Sequence, residues 1–232
     1  MRVLVVQNFA NTGLGQVGAA LVEVGAEIDR CNAYLGDALP ADAAGHDAMV
    51  ILGGGQNARD DAHSPYFPAL LELAREFVER DKAVLGICLG SQLMARAFGG
   101  HIRIGGSTEF GWHGITLTEE AQDDLVFSDL PQRFPIFQWH DDTFTLPEDA
   151  VRLAGSSVTG NQAFRIGRAG YGIQFHFEAD RPMIRDWSEA FADTIAQRHP
   201  DWHQRLDSEA ELHGAEADAV GLALARSWVA AI

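Results

Sequence analysis

Cysteine is nearly absent. The chain of 232 residues has two, Cys31 and Cys88. Two thiols set so far apart build no disulfide framework, which excludes the small stapled folds and suits a reducing, cytoplasmic compartment. Positive charge is also scarce: 17 Lys and Arg stand against 33 Asp and Glu, a formal net charge of -16. That balance argues against nucleic acid as a partner, because its phosphates would be repelled. It says nothing positive about a substrate, since acidic surface mostly serves solubility. No stretch approaches the roughly 18 apolar residues of a membrane span, so no membrane partner is expected. The apolar run in the opening Met1–Asn8 is too short for a signal peptide and suits a first strand. No phosphate loop of the form G-x-x-x-x-G-K-[ST] occurs, and nothing calls for a cofactor. His199 and His203 have i,i+4 spacing, but Pro200 between them disfavours a clean helix. They are expected in an exposed loop, and no metal site is expected.

Hydrophobic residues make up 47% of the chain, enough for a full core. Val3–Val6 and Ala48–Leu52 are continuous apolar strands of the kind buried on both faces of a parallel sheet. Ala26–Cys31 is a weaker strand. Leu14–Val24 and Pro65–Arg80 carry helical spacing, the second with Leu70, Leu71, Ala74, Phe77 and Val78 on one side. Pro40–Gly45 is a connector. Alternation of strand and helix predicts an α/β fold with a doubly wound, mostly parallel sheet and flanking helices. From His101 to Gly172 short alternating segments at 114–118, 136–139, 151–154 and 163–166 predict an antiparallel β extension on the sheet edge. Tyr171–Phe175 returns to a buried strand. Arg181–Arg198 reads as helix, and Ser208–Ile232 as a last helix with Leu212, Ala219, Leu222, Ala223 and Val229 as a weak apolar stripe. No repeat, low-complexity tract or long linker divides the chain. Residues 1–232 are expected to form one domain with a helical extension from about 200.

The most informative stretch is Lys82–Gly100. An apolar run, Ala83–Ile87, meets a lone cysteine, Cys88, and then a segment of helical spacing (Leu93, Met94, Ala97, Phe98) that ends at Gly99 and Gly100. Gly86 and Gly90 flank Cys88 two residues either side, as a sharp strand-to-helix elbow requires. The elbow lifts the side chain off the sheet, and the helix start behind it favours thiolate. A buried structural cysteine is the alternative.

A cysteine nucleophile needs a base, and the base needs an orienter. His176 and Glu178 lie two apart at a strand end, so both point to one side of the chain. If that strand neighbours the elbow strand, His176 reaches Cys88 and Glu178 holds the ring from behind. Otherwise His176 is a satisfied strand-end histidine and Glu178 a helix-start carboxylate. The carboxyl edge of an open α/β sheet is where such sites form.

These residues carry a resemblance. Gly86-Ile87-Cys88-Leu89-Gly90-Ser91-Gln92 resembles the G-x-C-x-G-x-Q motif of class I glutamine amidotransferases. Gly172-Ile173-Gln174-Phe175-His176-Phe177-Glu178 resembles their G-x-Q-F-H-x-E motif. Ile51-Leu52-Gly53-Gly54-Gly55 stands where they carry a strand and a Gly-Gly-Pro loop. Phe137–Asp142 is similar to the segment that closes over glutamine in members of the GMP-synthase type. The resemblance runs from about Ala48 to Asp180, and it implies the flavodoxin-like amidotransferase fold.

It also implies a reaction. Cys88 attacks the side-chain amide of glutamine, His176 serves as base and then as acid for departing ammonia, and water hydrolyses the thioester. Leu89 and Gly54 N–H would form the oxyanion hole. Gln92, with the backbone at Trp139 and His140, would bind the substrate; the His140 side chain by itself reads as a loop histidine, and Gln92 by itself as a surface glutamine. Two departures stand out: Gly55 replaces the family's usual proline after the paired glycines, and Phe177 replaces the proline between His and Glu. The first suggests a looser oxyanion loop. The full-length synthase's ATP-pyrophosphatase motif is missing, so a synthase or acceptor subunit is a candidate partner. A γ-glutamyl peptidase or hydrolase working alone on γ-glutamyl compounds is a second reading, and a non-catalytic interaction protein that kept the fold is a third. The related intracellular protease and chaperone family also has a cysteine elbow, but Gln92 and His176-x-Glu178 match the amidotransferase pattern instead.

Overall fold

Val3–Val6 is buried along its whole length because its strand has sheet neighbours on both sides and helices over both faces. The computed structural model describes residues 1–232. In chain order it contains β1 (Arg2–Val6), α1 (Gly15–Glu23), β2 (Glu27–Cys31), β3 (Ala48–Ile51), α2 (Phe67–Glu79), β4 (Ala83–Ile87) and α3 (Leu89–Ala97). There follow β5 (Ile102–Arg103), β6 (Glu109–Leu117), β7 (Arg133–His140), β8 (Thr143–Phe144), β9 (Val151–Ser156), β10 (Ala163–Ile166) and β11 (Gly170–Ile173). Helices α4 (Arg181–Ala190), α5 (Ala192–Arg198) and α6 (Trp202–Ala230) end the chain.

One nine-stranded sheet runs in the order β2-β1-β3-β4-β11-β10-β9-β6-β7, and β5 pairs with β8 in a separate ribbon. The first five strands are parallel and the rest antiparallel. The fold is therefore α/β, a mixed sheet with a parallel core and an antiparallel extension, flanked by helices. Strand alternation sends Val3, Val5, Val50 and Leu85 to one face under α1 and α6, and Leu4, Val6, Met49 and Val84 to the other under α2 and α3.

Several boundaries differ from the sequence reading. The β11 ladder stops at Ile173 rather than Phe175. The helix expected over 181–198 breaks at Phe191, which packs on Phe9 and Trp139. The last helix starts at Trp202, six residues early, since Pro200 lies just ahead of its first turn where a proline costs nothing. His203 is thus helical, and His199 stacks on Phe110 at 4.1 Å between ring centroids. The apolar stripe of α6 also has a different phase. Leu212, Ala219 and Ala223 are exposed and Leu222 half-buried; Val229 is buried as expected, and it is joined on the inward face by Trp202, Leu206, Ala217, Leu224 and Trp228. Small residues on the buried face hid the periodicity.

Gly221 is one of them. It lies against the Phe177 carbonyl and the Gln16 side chain, and a Cβ there would collide with both. The Gln16 amide donates to that same carbonyl at 2.9 Å. Replacing a helix-interior glycine by alanine ordinarily gains about 1 kcal/mol. Here Gly221→Ala is expected to cost about 1–3 kcal/mol through overpacking, seen as a lower midpoint in urea denaturation.

Candidate active site

Cys88 joins β4 to α3 with φ +51° and ψ −109°, a conformation that side chains other than glycine rarely adopt. It persists because both flanks are over-determined. A Cβ at Gly86 would strike the Gly90 backbone, and one at Gly90 would strike the Ile51 carbonyl. The strand, the elbow and β3 therefore approach closer than any side chain allows. Cys88 N–H is held by the Ile173 carbonyl at 2.8 Å, and its thiol contacts the Trp139 carbonyl at 3.7 Å.

Strand β11 is the parallel neighbour of β4, with Ile173 opposite Ile87. Past Ile173 the chain leaves the ladder but stays pinned: Gln174 N–H donates to the Gln162 carbonyl and His176 N–H to the Phe137 carbonyl, both at 2.8 Å. This brings His176 to Cys88. His176 Nδ1 faces Glu178 Oε1 at 2.7 Å, which leaves Nε2 for the thiol. Glu178 Oε2 is buried with no partner, so its charge acts chiefly on this ring. Burial opposes a charged His176, but the Glu178 charge, then the charge and hydrogen bond of Cys88, outweigh it and raise the imidazole pKa well above 6.5. Trp187 meets the ring edge-on at 5.1 Å.

The glycine loop after β3 crosses in front of Cys88. Gly53 touches both the His176 ring and the Cys88 side chain. Gly54 N–H has no backbone acceptor, and Leu89, the first residue of α3, has an N–H that no intrahelical carbonyl can take. Neither N–H is engaged by a backbone carbonyl. Where the sequence suggested looseness, the structure supplies anchors. Buried Asn8 donates to the Leu52 carbonyl at 2.6 Å and accepts from the Tyr66 hydroxyl at 3.0 Å. The Gln56 side chain bonds the Asn8 carbonyl. Further along, Arg96 grips Asp61 through two bonds of 2.6 Å and the Ala58 carbonyl at 2.8 Å.

Gln92 is buried, not on the surface; its amide meets Gln174 Oε1 at 3.2 Å and the Asp142 carbonyl at 3.5 Å. His140 is no loop histidine either. It ends β7 with its side chain buried, Nδ1 on the Asp142 carbonyl at 3.0 Å and Nε2 3.4 Å from Glu109. Its ring is committed to holding the turn, and the backbone beside it borders the cleft. Burial weighs against ionisation of Glu109, yet His140, Ser156 and Thr159 hold its pKa below the usual carboxylate value.

Cys88, Gln92, His176 and the Gly54–Gln56 loop border one cleft of about 340 Å³. Sequence reasoning missed several of its residues: Asn8, Gln56 and Tyr66 behind the loop, Glu109 behind His140, and Phe9, Trp187, Phe191 and Arg198 on the outer wall. None carries a local signal, because each is brought in by tertiary packing. No group of three or more His, Cys, Asp or Glu side chains converges to hold a metal ion, and no helix is long and apolar enough to cross a membrane.

The family model "Glutamine amidotransferase class-I" matches residues 15–182. A glutamine amidotransferase-like protein of Salmonella typhimurium, YfeJ, is 33% identical over 172 residues, covering 71% of this chain and 72% of that protein. One of the subunits of the glutamine-hydrolyzing GMP synthase of Methanospirillum hungatei is 35% identical over 131 residues, 56% of this chain and 63% of that one. Against the GMP synthase of Thermosipho africanus the match spans only 33% of the relative's length. Among solved structures, a glutamine amidotransferase from Thermotoga maritima superposes with TM-score 0.87 at 28% identity, covering 99% of this chain and 96% of the other.

Proposed function

This chain belongs to the class I glutamine amidotransferase family, and we propose that it hydrolyses the side-chain amide of glutamine through a γ-glutamyl thioester on Cys88. The observation that carries this reading is the strained elbow of Cys88 facing a His176 ring backed by Glu178 at 2.7 Å. His176 takes the thiol proton as sulfur adds to the amide carbon. Leu89 and Gly54 N–H stabilise the oxyanion. As the tetrahedral adduct collapses, His176 returns the proton to nitrogen and ammonia leaves. Water, deprotonated by the same ring, then cleaves the thioester to glutamate. Gln92 and the Trp139–His140 backbone hold the amino-acid end. Glu178 keeps the imidazole in the tautomer and orientation the reaction needs. No cofactor or metal takes part in the proposal. The test adds hydroxylamine during turnover: a thioester yields γ-glutamyl hydroxamate, and its absence with continuing glutamate release would contradict the covalent route.

Ammonia goes to solvent or to a docked synthase partner. The GMP synthase relative from Methanospirillum hungatei, itself one subunit of that enzyme, supports the second option. The oxyanion loop decides how well the protein works unassisted. Gly55 has a φ outside the left-handed range, and its nearest would-be Cβ neighbour is Phe9 at 3.9 Å, so a side chain is accommodated there. Gly55→Pro is expected to stabilise by about 0.4–1 kcal/mol, and Asn8→Ala to destabilise by about 1–3 kcal/mol by stranding buried partners. Turnover of free glutamine without a partner separates the cases. A gain with Gly55→Pro marks a preorganisation deficit, which reduces activity by the fraction of molecules in the competent state. Unchanged fast hydrolysis marks a loop already set by Asn8 and Gln56.

A further inference from the structure

The cleft is larger and more aromatic on one side than the departure of ammonia requires. His176 protonates the leaving nitrogen, so any group attached to that nitrogen exits on the His176 side of the cleft. The wall met there is made of Trp187, Phe191 and Phe9, with Arg198, paired to Asp141, at its outer edge. Trp187 lies edge-on to His176 at 5.1 Å. Phe191 packs on Trp139 at 5.4 Å and on Phe9 at 6.1 Å. Trp187 is fixed in place by its indole N–H, which donates to the Asn11 carbonyl at 2.9 Å, and that bond ties α4 to the loop after β1.

The wall is graded, from Trp187 at 5% exposed beside the catalytic ring to Phe9 at 37% exposed at the mouth. Ammonia is small and polar and gains nothing from an aromatic lining. At about 340 Å³ the cleft lies within the roughly 300–1,000 Å³ of small-ligand sites, which are mostly apolar with a few placed polar groups.

We propose that Trp187, Phe191 and Phe9 form a leaving-group subsite, and that the enzyme accepts γ-glutamyl amides of large aromatic or apolar amines as well as glutamine. This rests on the thioester reading above. The chemistry balances in the same way: the γ-carbonyl carbon–nitrogen bond breaks, the carbon–sulfur bond to Cys88 forms, the thiol proton passes through His176 to the amine, and water releases glutamate.

The test compares γ-glutamyl 3-phenylpropylamide with γ-glutamyl propylamide on the full chain, following glutamate release. With the phenyl ring three carbons from nitrogen the two amines are of similar basicity, so the comparison reads the wall and not leaving-group activation. Burial of the ring is expected to raise kcat/KM about ten- to a hundredfold. Phe191→Ala is expected to lower that preference roughly tenfold. Equal kcat/KM for the two amides in the wild type overturns the subsite, as does turnover of glutamine with neither amide cleaved; the glutaminase reading survives both results. Failure on all three compounds, with no adduct at Cys88 from a glutamine-like diazo ketone, overturns that reading and the subsite together.

Discussion

On the proposed mechanism Cys88→Ala is expected to remove glutamine hydrolysis, with turnover down by roughly 10⁴-fold or more, the scale on which triad nucleophiles fall when deleted. The fold is expected to survive, because alanine keeps the Cβ that the elbow already accommodates at φ +51°, and loss of one buried sulfur from the core costs about 1 kcal/mol. A diazo-ketone analogue of glutamine should label Cys88 alone. Cys31 is the internal control. It too is buried, but it sits at the end of β2 against the Asp37 and Ala38 carbonyls. Burial, and then the charges of Asp37 and Asp29, push its thiol pKa up, the opposite of what a nucleophile needs. Mass spectrometry of the intact and digested protein decides the matter. An adduct on Cys31, or none at all, would remove the core of the proposed chemistry.

How much of this was legible in the sequence depended on whether the signal was local. The parallel core was legible because strands buried on both faces need unbroken apolar runs, and Val3–Val6 and Ala48–Leu52 are such runs. The elbow was legible because an approach of backbone to backbone tolerates only glycine, and Gly86 and Gly90 mark it. His176 and Glu178 were legible as a pair by their spacing, and as partners of Cys88 only through the motif resemblance or on the condition that their strand lies beside the elbow strand, as β11 does beside β4. The α6 stripe was misplaced because its inward face relies on Gly214, Ala217 and Gly221, whose close packing leaves no hydrophobic signature. The anchors of the glycine loop were illegible for a different reason. Asn8, Gln56 and Tyr66 are ordinary polar residues in sequence and acquire a role only when β1, the loop after β3 and the start of α2 converge. His140 was misread because its partner, Glu109, enters from the strand alongside.

The second large effect separates the two members of the His–Glu pair. His176→Ala removes the base that takes the thiol proton and the acid that protonates the leaving nitrogen. It is expected to lower kcat/KM by roughly 10²- to 10⁴-fold. Glu178→Gln retains a hydrogen-bond acceptor for Nδ1 and nearly the same shape, but it loses the negative charge that stabilises imidazolium. Its loss is expected to be smaller. The charge has a second readout. His176 is buried, which opposes protonation, yet its pKa stands well above 6.5, with Glu178 the foremost of the groups that raise it. Without that charge the ring's pKa falls, and ring-nitrogen NMR of wild type and Glu178→Gln measures the change directly. The sign for stability follows from linkage. A histidine whose folded pKa exceeds its unfolded value contributes stability that is fully present below the unfolded pKa and is lost as pH rises through the folded one. The advantage of wild type over Glu178→Gln in urea midpoint should therefore be largest below about pH 6.5 and shrink as the pH climbs past the His176 pKa. A role that is only structural would move the midpoint without moving the titration. Should Glu178→Gln prove more damaging to turnover than His176→Ala, Glu178 would have to act on the substrate itself, and the order of roles in the triad would change.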